Sequence, residues 1–304
     1  MSRLFPDKNI HKKQRPGRAG AAKAAGLHWR IMNKQIIPAA EKLLRERELL
    51  CVAACSRFLT RRSFKDTVCT LQSRDGNIHA LIIYSNRVLL PVFCGHKEIP
   101  EPGFFHNIFG VLPIHSVQGL TDEALFLESC LSKCGLEAVD KIDYDLMYID
   151  KASDNASFST GPAGLILRKP QYSDIDSLAA LQAAYEQEEV LPQGAVFNPA
   201  VSRLNTERIF ANEQLLVAEL GGCLVGKINT SAFSFSRFQI GGVYVLPAFR
   251  SMGIAQRMTA EFVCMLIAQG RGVSLFVKKS NPAARSVYDR LGFEFLADYR
   301  ISYF

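Results

Sequence analysis

The sequence predicts an α/β (α+β) protein in two units, on three observations. After residue 164, strand-like and helix-like apolar periods alternate, with short turns between them. Residues 151–163, KASDNASFSTGPA, are small and polar with almost nothing to bury, which is a linker composition. Ahead of that linker, from residue 32, lies a further stretch of strand and helix patterns long enough for a unit of its own.

The elements follow in order. Residues 34–50 carry an amphipathic helical period, and IHALIIYSNRVLLPVF (78–93) reads as two apolar strands about a Ser85-Asn86 turn. TDEALFLESCLSKCG (121–135) reads as a helix capped by Thr121 and stopped by Gly135, and DYDLMYID (143–150) alternates as a strand. Beyond the linker, GLILRKP (164–170) is a strand. SDIDSLAALQAAYEQEEV (173–190) is a helix with Ile175, Leu178, Leu181 and Tyr185 on one face, and a second helix covers 199–211. QLLVAEL (214–220) and CLVGKINTSAF (223–233) form a hairpin about Gly221-Gly222. IGGVYVLP (240–247) is a strand, 252–270 a helix, and VSLFVKK (273–279) a strand. NPAARSVYDRLG (281–292) is a helix with Asn281 as N-cap and Pro282 in its first turn, and 292–304 closes with strand patterning.

Composition narrows the function classes. No run of eighteen apolar residues occurs: the most apolar long stretch, residues 36–59, is broken by charges from Glu41 to Glu48. The N-terminus is basic without an apolar segment or cleavage site, so the reading is a cytoplasmic protein that does not engage a membrane. Residues 1–30 hold Arg3, Lys8, Lys12, Lys13, Arg15, Arg18, Lys23 and Arg30 against Asp7 alone, which accounts for the whole formal charge of +7. Residues 1–31 are therefore expected to be a basic, disordered tail, with a nucleic-acid or acidic-partner arm as the other reading. Periodic apolar patterning begins only after Met32, which leaves that residue open as a start. The eight cysteines show no Cys-x-x-Cys and no zinc-type histidine partners, so reduced thiols and no metal are expected. All six histidines lie in the first 115 residues, so chemistry in the C-terminal half proceeds without imidazole.

In VYVLPAFRSMGIAQRM (243–258) a strand feeds a helix through a turn containing Arg250 and Gly253. A helix N-terminus presents unpartnered N–H groups and partial positive charge. A glycine there lets an anion approach the backbone, and an arginine adds a cation, which makes a pyrophosphate cradle. Neither a Walker loop nor GxGxxG is present. An ordinary loop before a helix would satisfy Arg-x-x-Gly-x-Ala taken alone. Some twenty-five residues on comes SNPAARSVYDRLGF (280–293).

Together these stretches resemble motifs A and B of the GNAT acetyltransferase superfamily, in the family's order, over residues 164–304. The resemblance implies a central mixed, mostly antiparallel sheet flanked by helices, and an acetyl-CoA-dependent N-acetyltransferase acting on a primary amine by direct attack. It implies that the Val243-Tyr244-Val245 strand holds the pantetheine arm through the backbone of Val243 and Val245. The amides of Ser251, Met252, Gly253, Ile254, Ala255 and Gln256 would hold the pyrophosphate, helped by Arg250. Asn281 would contact the cofactor, and Tyr288 would act as general acid to the leaving sulfur. Ser251-Met252 stands where the family often has Gly followed by Lys or Arg, which removes one cationic contact and keeps the main-chain ones. For the amine side, Glu186, Glu188 and Glu189 crowd one helix end, where they should raise one another's pKa. Glu188 and Glu189 are the candidate bases, beside the alternatives of a solvated helix end or a water chain.

VLPIHSVQGLTDEALFLESCL and DYDLMYID resemble the degenerate acetyltransferase-like domain found ahead of some bacterial members. This places a substrate-shaping or homodimerising unit at 32–150, without acetyl-CoA. Two rivals stand beside the enzyme: a CoA-binding regulator without turnover, and a nucleic-acid-associated protein acting through its tail.

Overall fold

A computed structural model describes residues 26–61, 66–95, 107–108, 112–151, 161–192 and 194–304. The elements run β1 (His28–Ile31), α1 (Ile37–Glu46), α2 (Val52–Thr60), β2 (Thr67–Gln72), β3 (Ile78–Ser85), β4 (Val88–Phe93), β5 (Ser116–Leu120), α3 (Thr121–Ser132) and β6 (Asp140–Ile149). They continue as β7 (Ile166–Arg168), α4 (Ile175–Tyr185), α5 (Pro199–Asn212), β8 (Leu215–Leu220), β9 (Cys223–Phe233), β10 (Arg237–Val245), α6 (Ile254–Ile267), β11 (Gly272–Lys278), α7 (Pro282–Arg290) and β12 (Glu294–Tyr303). The second series repeats the first, with α6 answering to a stretch that lies largely outside the described residues.

Hydrogen bonding joins the described strands into one twelve-stranded sheet, ordered β1-β2-β3-β4-β5-β12-β6-β11-β10-β9-β8-β7. Read from either end this order is the same when each strand is exchanged for its counterpart six places on. Only the pairs β4–β5 and β10–β11 are parallel, so the sheet is mixed and mostly antiparallel, as expected. Helices cover both faces. In the first half, α1 and α2 pack on one face through Leu44, Cys55 and Phe58, and α3 packs on the other through Ala124, Leu127 and Leu131. In the second half α6 and α7 bury Met258, Phe262 and Tyr288 on one face, while α4 and α5 bury Leu178 and Ile209 against β8.

The halves trade their last strands. β6, which precedes the linker, lies between β11 and β12, and β12 lies between β5 and β6. Met147 and Ile149 of β6 belong to the same buried cluster as Phe262 and Leu275. The boundary that composition places at 151–163 therefore separates segments of sequence whose strands interlock; of that stretch, residues 152–160 lie outside the described residues. A second tie comes from Glu48, whose carboxylate accepts hydrogen bonds from Ser234 Oγ at 2.6 Å and Ser236 Oγ at 2.9 Å in the β9–β10 turn. Burial works to raise the Glu48 pKa, and these hydrogen bonds overcome it, holding the carboxyl below its usual range.

Several local expectations are corrected. The basic tail does not extend to residue 31: His28–Ile31 pair with Cys69–Gln72, and Trp29 sets its ring edge-on to Phe93 at 6.4 Å. Residues 1–25 lie outside the described residues. The 34–50 helix is α1 flanked by two 3-10 turns, and a further helix, α2, follows it with Val52, Cys55 and Phe58 on its buried face. The β3–β4 turn centres on Asn86 and Arg87, at φ 51° and 66°, one residue later than read, which is the left-handed pair a two-residue hairpin requires. Leu120, not Thr121, occupies the N-cap of α3, and the Thr121 hydroxyl is buried without a hydrogen-bond partner. All eight cysteines are free, with Cys51 and Cys55 Sγ 3.7 Å apart. Among the described residues no helix is long and apolar enough to cross a membrane, and no cluster of His, Cys, Asp or Glu is arranged to hold a metal ion.

The exchange predicts that residues 164–304 produced alone will not fold cooperatively. Without β6 the facing edges of β11 and β12 are bare, and the cluster loses Met147 and Ile149, each worth about 2–5 kcal/mol on truncation. Thermal unfolding by near-ultraviolet circular dichroism should show no sharp transition, and one should appear when the fragment begins at residue 138. A native-like transition for 164–304 alone would show that β6 is dispensable.

Candidate active site

β10 and β11 are parallel from Arg237↔Gly272 to Ile240↔Leu275, and beyond that point their pairing ends. The cause lies on the other edge of β10. Its ladder with β9 runs to Gly241↔Asn229 and resumes at Tyr244↔Lys227, so Gly242 and Val243 form a bulge. Gly242 has φ +59°, and a Cβ there would lie 2.2 Å from Asn229 Oδ1 and 2.6 Å from Lys227 Nζ. A Cβ on Gly241 would lie 2.8 Å from that of Ser231. Only Gly-Gly fits, and the bulge turns the rest of β10 away from β11.

The strand's alternation settles which backbone groups face the opening. Leu246 N–H bonds to Val225 O on β9 at 2.9 Å, so the backbone of Val243 and Val245 points to the other side, toward the divergence. A cavity of about 430 Å³ fills this space. Val243 lines it from β10, Val277 and Lys278 from β11, and Asn281, Ala284 and Tyr288 from α7. Gln118 and Tyr144 of the first half and Tyr303 of β12 form a further wall, which sequence reasoning missed because strand exchange alone brings them there.

Past β10 a 3-10 turn at Pro247–Phe249 leads to extended Arg250, then to Ser251 at φ 62° and Gly253 at φ 77°, the N-cap of α6. A left-handed serine is strained, and a left-handed glycine is not. Ile254, 1% exposed, anchors the helix so that its first-turn amides open at this loop. Arg250 is engaged by its own chain: Nε bonds to Val245 O at 3.0 Å and Nη2 to Glu188 Oε2 at 2.7 Å.

Asn281 Oδ1 accepts from Ala284 N at 3.0 Å and Pro282 opens α7, as the sequence led one to expect. Arg285 of α7 is ion-paired with Asp145 of β6, which also takes Lys279 at 3.3 Å, so the first half holds this helix in place. Tyr288 is 6% exposed and packs edge-on against Phe293 at 5.7 Å. Burial, with Tyr185 and Glu189 nearby, pushes its pKa well above the usual phenol value, so it keeps its proton.

The three glutamates do not share a site. They lie in a π turn, Glu186–Val190, that extends α4 and sends each carboxylate to a different partner. Glu186 accepts from Gln182 Nε2 at 2.8 Å and Asn205 Nδ2 at 3.2 Å. Glu189 pairs with Lys278 at 3.0 Å, and both it and Glu186 line the cavity. Glu188 takes Arg250 and, at 3.1 Å, the Tyr244 hydroxyl. The expectation of mutually raised pKa values fails for Glu188: hydrogen bonding from Arg250, joined by Tyr244, holds it below the usual carboxylate range.

Sequence reasoning also missed Lys227. It is 1% exposed within β9, and its signal was a lone cation in the otherwise uncharged strand CLVGKINTSAF.

Residues 179–293 match the acetyltransferase (GNAT) family, a span from α4 to Phe293 that includes the bulge, the loop and the α7 tyrosine. No curated protein matches the sequence. Among solved structures, a Drosophila protein superposes with a TM-score of 0.61 at 13% identity, covering 91% of this chain and 98% of its own. A GCN5-related N-acetyltransferase from Sphaerobacter thermophilus gives 0.59 at 18%, covering 91% and 94%. A tandem GNAT protein from the clavulanic acid biosynthesis pathway gives 0.56 at 12%, covering 91% and 97%. At such identities the likeness is one of fold, and it extends over both halves. The likeness to the acetyltransferase (GNAT) family in sequence thus lies within residues 179–293.

Proposed function

We propose that the protein is an acetyl-CoA-dependent N-acetyltransferase acting on a primary amine. The observation that carries this reading is the divergence of β10 from β11 beside a left-handed loop and a buried tyrosine. The edge of β10 suits the amide-bearing pantetheine arm, with the Val243 backbone and the Val245 N–H on offer, the Val245 carbonyl being held by Arg250 Nε. The loop from Ser251 to Gln256 suits a pyrophosphate, because Gly253 has no Cβ to obstruct it and α6 directs first-turn amides and positive dipole toward it. Asn281 would touch the cofactor from the start of α7. Acetyl-CoA, when bound, supplies an acetyl group activated as a thioester.

This chain's groups divide the remaining work. Val243 and Val245 N–H would steady negative charge developing on the acetyl oxygen. Tyr288 holds its proton on the hydroxyl and would release it to the leaving sulfur. Glu186 and Glu189 present carboxylates to an incoming amine from the π turn, and Glu189 keeps the role of candidate base. Glu188, ion-paired to Arg250 with a lowered pKa, is a poor proton acceptor; it positions Arg250. Residues 164–304 would be the catalytic unit and the first half the wall of the acceptor site, through Gln118 and Tyr144. In the first half β4 and β5 likewise part after Leu89↔Val117, yet there the Phe93 N–H is taken by Glu123 Oε1 at 3.0 Å. That bond closes the edge which in the second half stays open, and supports a single cofactor per chain.

Release of CoA from acetyl-CoA across a panel of amines, amino acids, polyamines and peptides tests the reading. Amine-dependent release supports it, and binding without release would make the protein a CoA-binding regulator. Gly253→Glu should abolish acetyl-CoA binding by calorimetry while circular dichroism stays near native, because the new side chain fills the loop with negative charge. Unchanged affinity in a folded variant would remove the pyrophosphate assignment. Tyr288→Phe should lower kcat by about a hundred- to ten-thousand-fold at little change in acetyl-CoA affinity, the usual worth of general acid catalysis. Full activity where chemistry limits the rate would make Tyr288 structural. Glu188→Gln should leave kcat within about tenfold of wild type, less than the loss expected on removing a general base. A larger collapse of kcat at unchanged KM would restore Glu188 as the base.

A further inference from the structure

We propose that Lys227 is a positioning residue that aims the Val243 N–H into the cleft and sets its strength as a hydrogen-bond donor. What that donor holds rests on the acetyltransferase reading above; the clamp itself does not.

Burying a lysine is costly, and strands seldom do it without a use for the cation. Lys227 Nζ donates to Gly242 O at 3.0 Å and to Asn229 Oδ1 at 2.9 Å, and it lies 4.7 Å from the centroid of the Tyr185 ring. The Gly242 carbonyl and the Val243 N–H are the two ends of one planar trans peptide, so they point in opposite directions. A carbonyl drawn toward Lys227 therefore turns the N–H away from β9, toward the cavity that Val243 lines. Elsewhere in β10 the β9 ladder fixes such peptides, but at this bulge the ladder is interrupted, and the lysine supplies the missing hold.

Hydrogen bonds in series polarise one another, so a donor on the carbonyl makes the N–H of the same peptide a stronger donor. A charged ammonium does this more strongly than a neutral amine. Burial pulls the Lys227 pKa down to about 7, with Glu213 and Glu186 opposing the fall. Several titratable groups face it. Tyr185 and Glu186 do so from α4 and its π turn, and Glu213 from the end of α5, where Arg208 binds it at 2.8 Å. Tyr244 faces it from β10, where it stands opposite Lys227 in the ladder and is hydrogen-bonded to Glu188; β8 presents only Val217. The strength of the Val243 donor is therefore expected to fall as pH rises through neutrality and Lys227 loses its proton.

The test uses the full chain labelled with ¹⁵N. Without any ligand, the Val243 amide shift should titrate with a midpoint near the Lys227 value, and the step should vanish in Lys227→Met and in Lys227→Arg. Arginine keeps a charged donor that does not titrate. Acetyl-CoA affinity should fall several-fold across the same pH step in wild type. It should be on the order of tenfold weaker in Lys227→Met, one hydrogen bond's worth, and be restored without the pH step in Lys227→Arg. A flat Val243 shift in wild type, or a step that persists in Lys227→Arg, overturns the proposal even if Lys227→Met fails to fold. A Val243 shift that behaves as expected in a protein that does not bind acetyl-CoA would uphold the clamp and sink the acetyltransferase reading instead.

Discussion

From Glu294↔Tyr148 to Tyr303↔Asp140, β6 and β12 run antiparallel as the two central strands of the sheet, each set beside the other half's penultimate strand. This pairing makes two sequence repeats into one layer. It puts Met147 and Ile149 under the helices of the second half, and places Asp145 where it can fix Arg285 at the base of the tyrosine helix. It also carries Tyr144 and Tyr303 to the mouth of the cleft. The wall of the cleft and the hydrophobic core thus depend on the same ladder.

Within that frame the cleft arises from a local misfit. Two glycines with no room for a side chain force a bulge against β9, and the bulge parts β10 from its parallel neighbour. The first half repeats the parting and then closes it with the Glu123 carboxylate. One topology therefore yields an open edge in one copy and a bonded edge in the other, and the difference rests on a few side chains. Charge is also partitioned among neighbours: three consecutive-turn glutamates are sent to an amide pair, an arginine and a lysine.

Much of this was legible because its signals are local. Gly221-Gly222 announces a hairpin, Asn281-Pro282 a helix start, and Arg250 to Ala255 a strand-to-helix loop, each within a few residues. The exchange of β6 and β12 was not legible, because alternation in DYDLMYID marks a strand without naming its neighbours. The same limit hid Gln118 and Tyr144 from the site. The lowered pKa of Glu188 was hidden for a related reason: spacing showed crowding, and only the π turn shows that the carboxylates separate. Lys227 left a trace, a cation amid buried apolar positions, that carries meaning once the bulge beneath it is seen.

The exchange also has a consequence for biosynthesis. β12 leaves the ribosome after the other eleven strands, yet it belongs between β5 and β6. The first repeat must wait, with two strand edges uncovered, until the whole second repeat has been translated. A stop codon just ahead of β12 would deprive both repeats at once, so a lesion within the second repeat would be felt in the first as well.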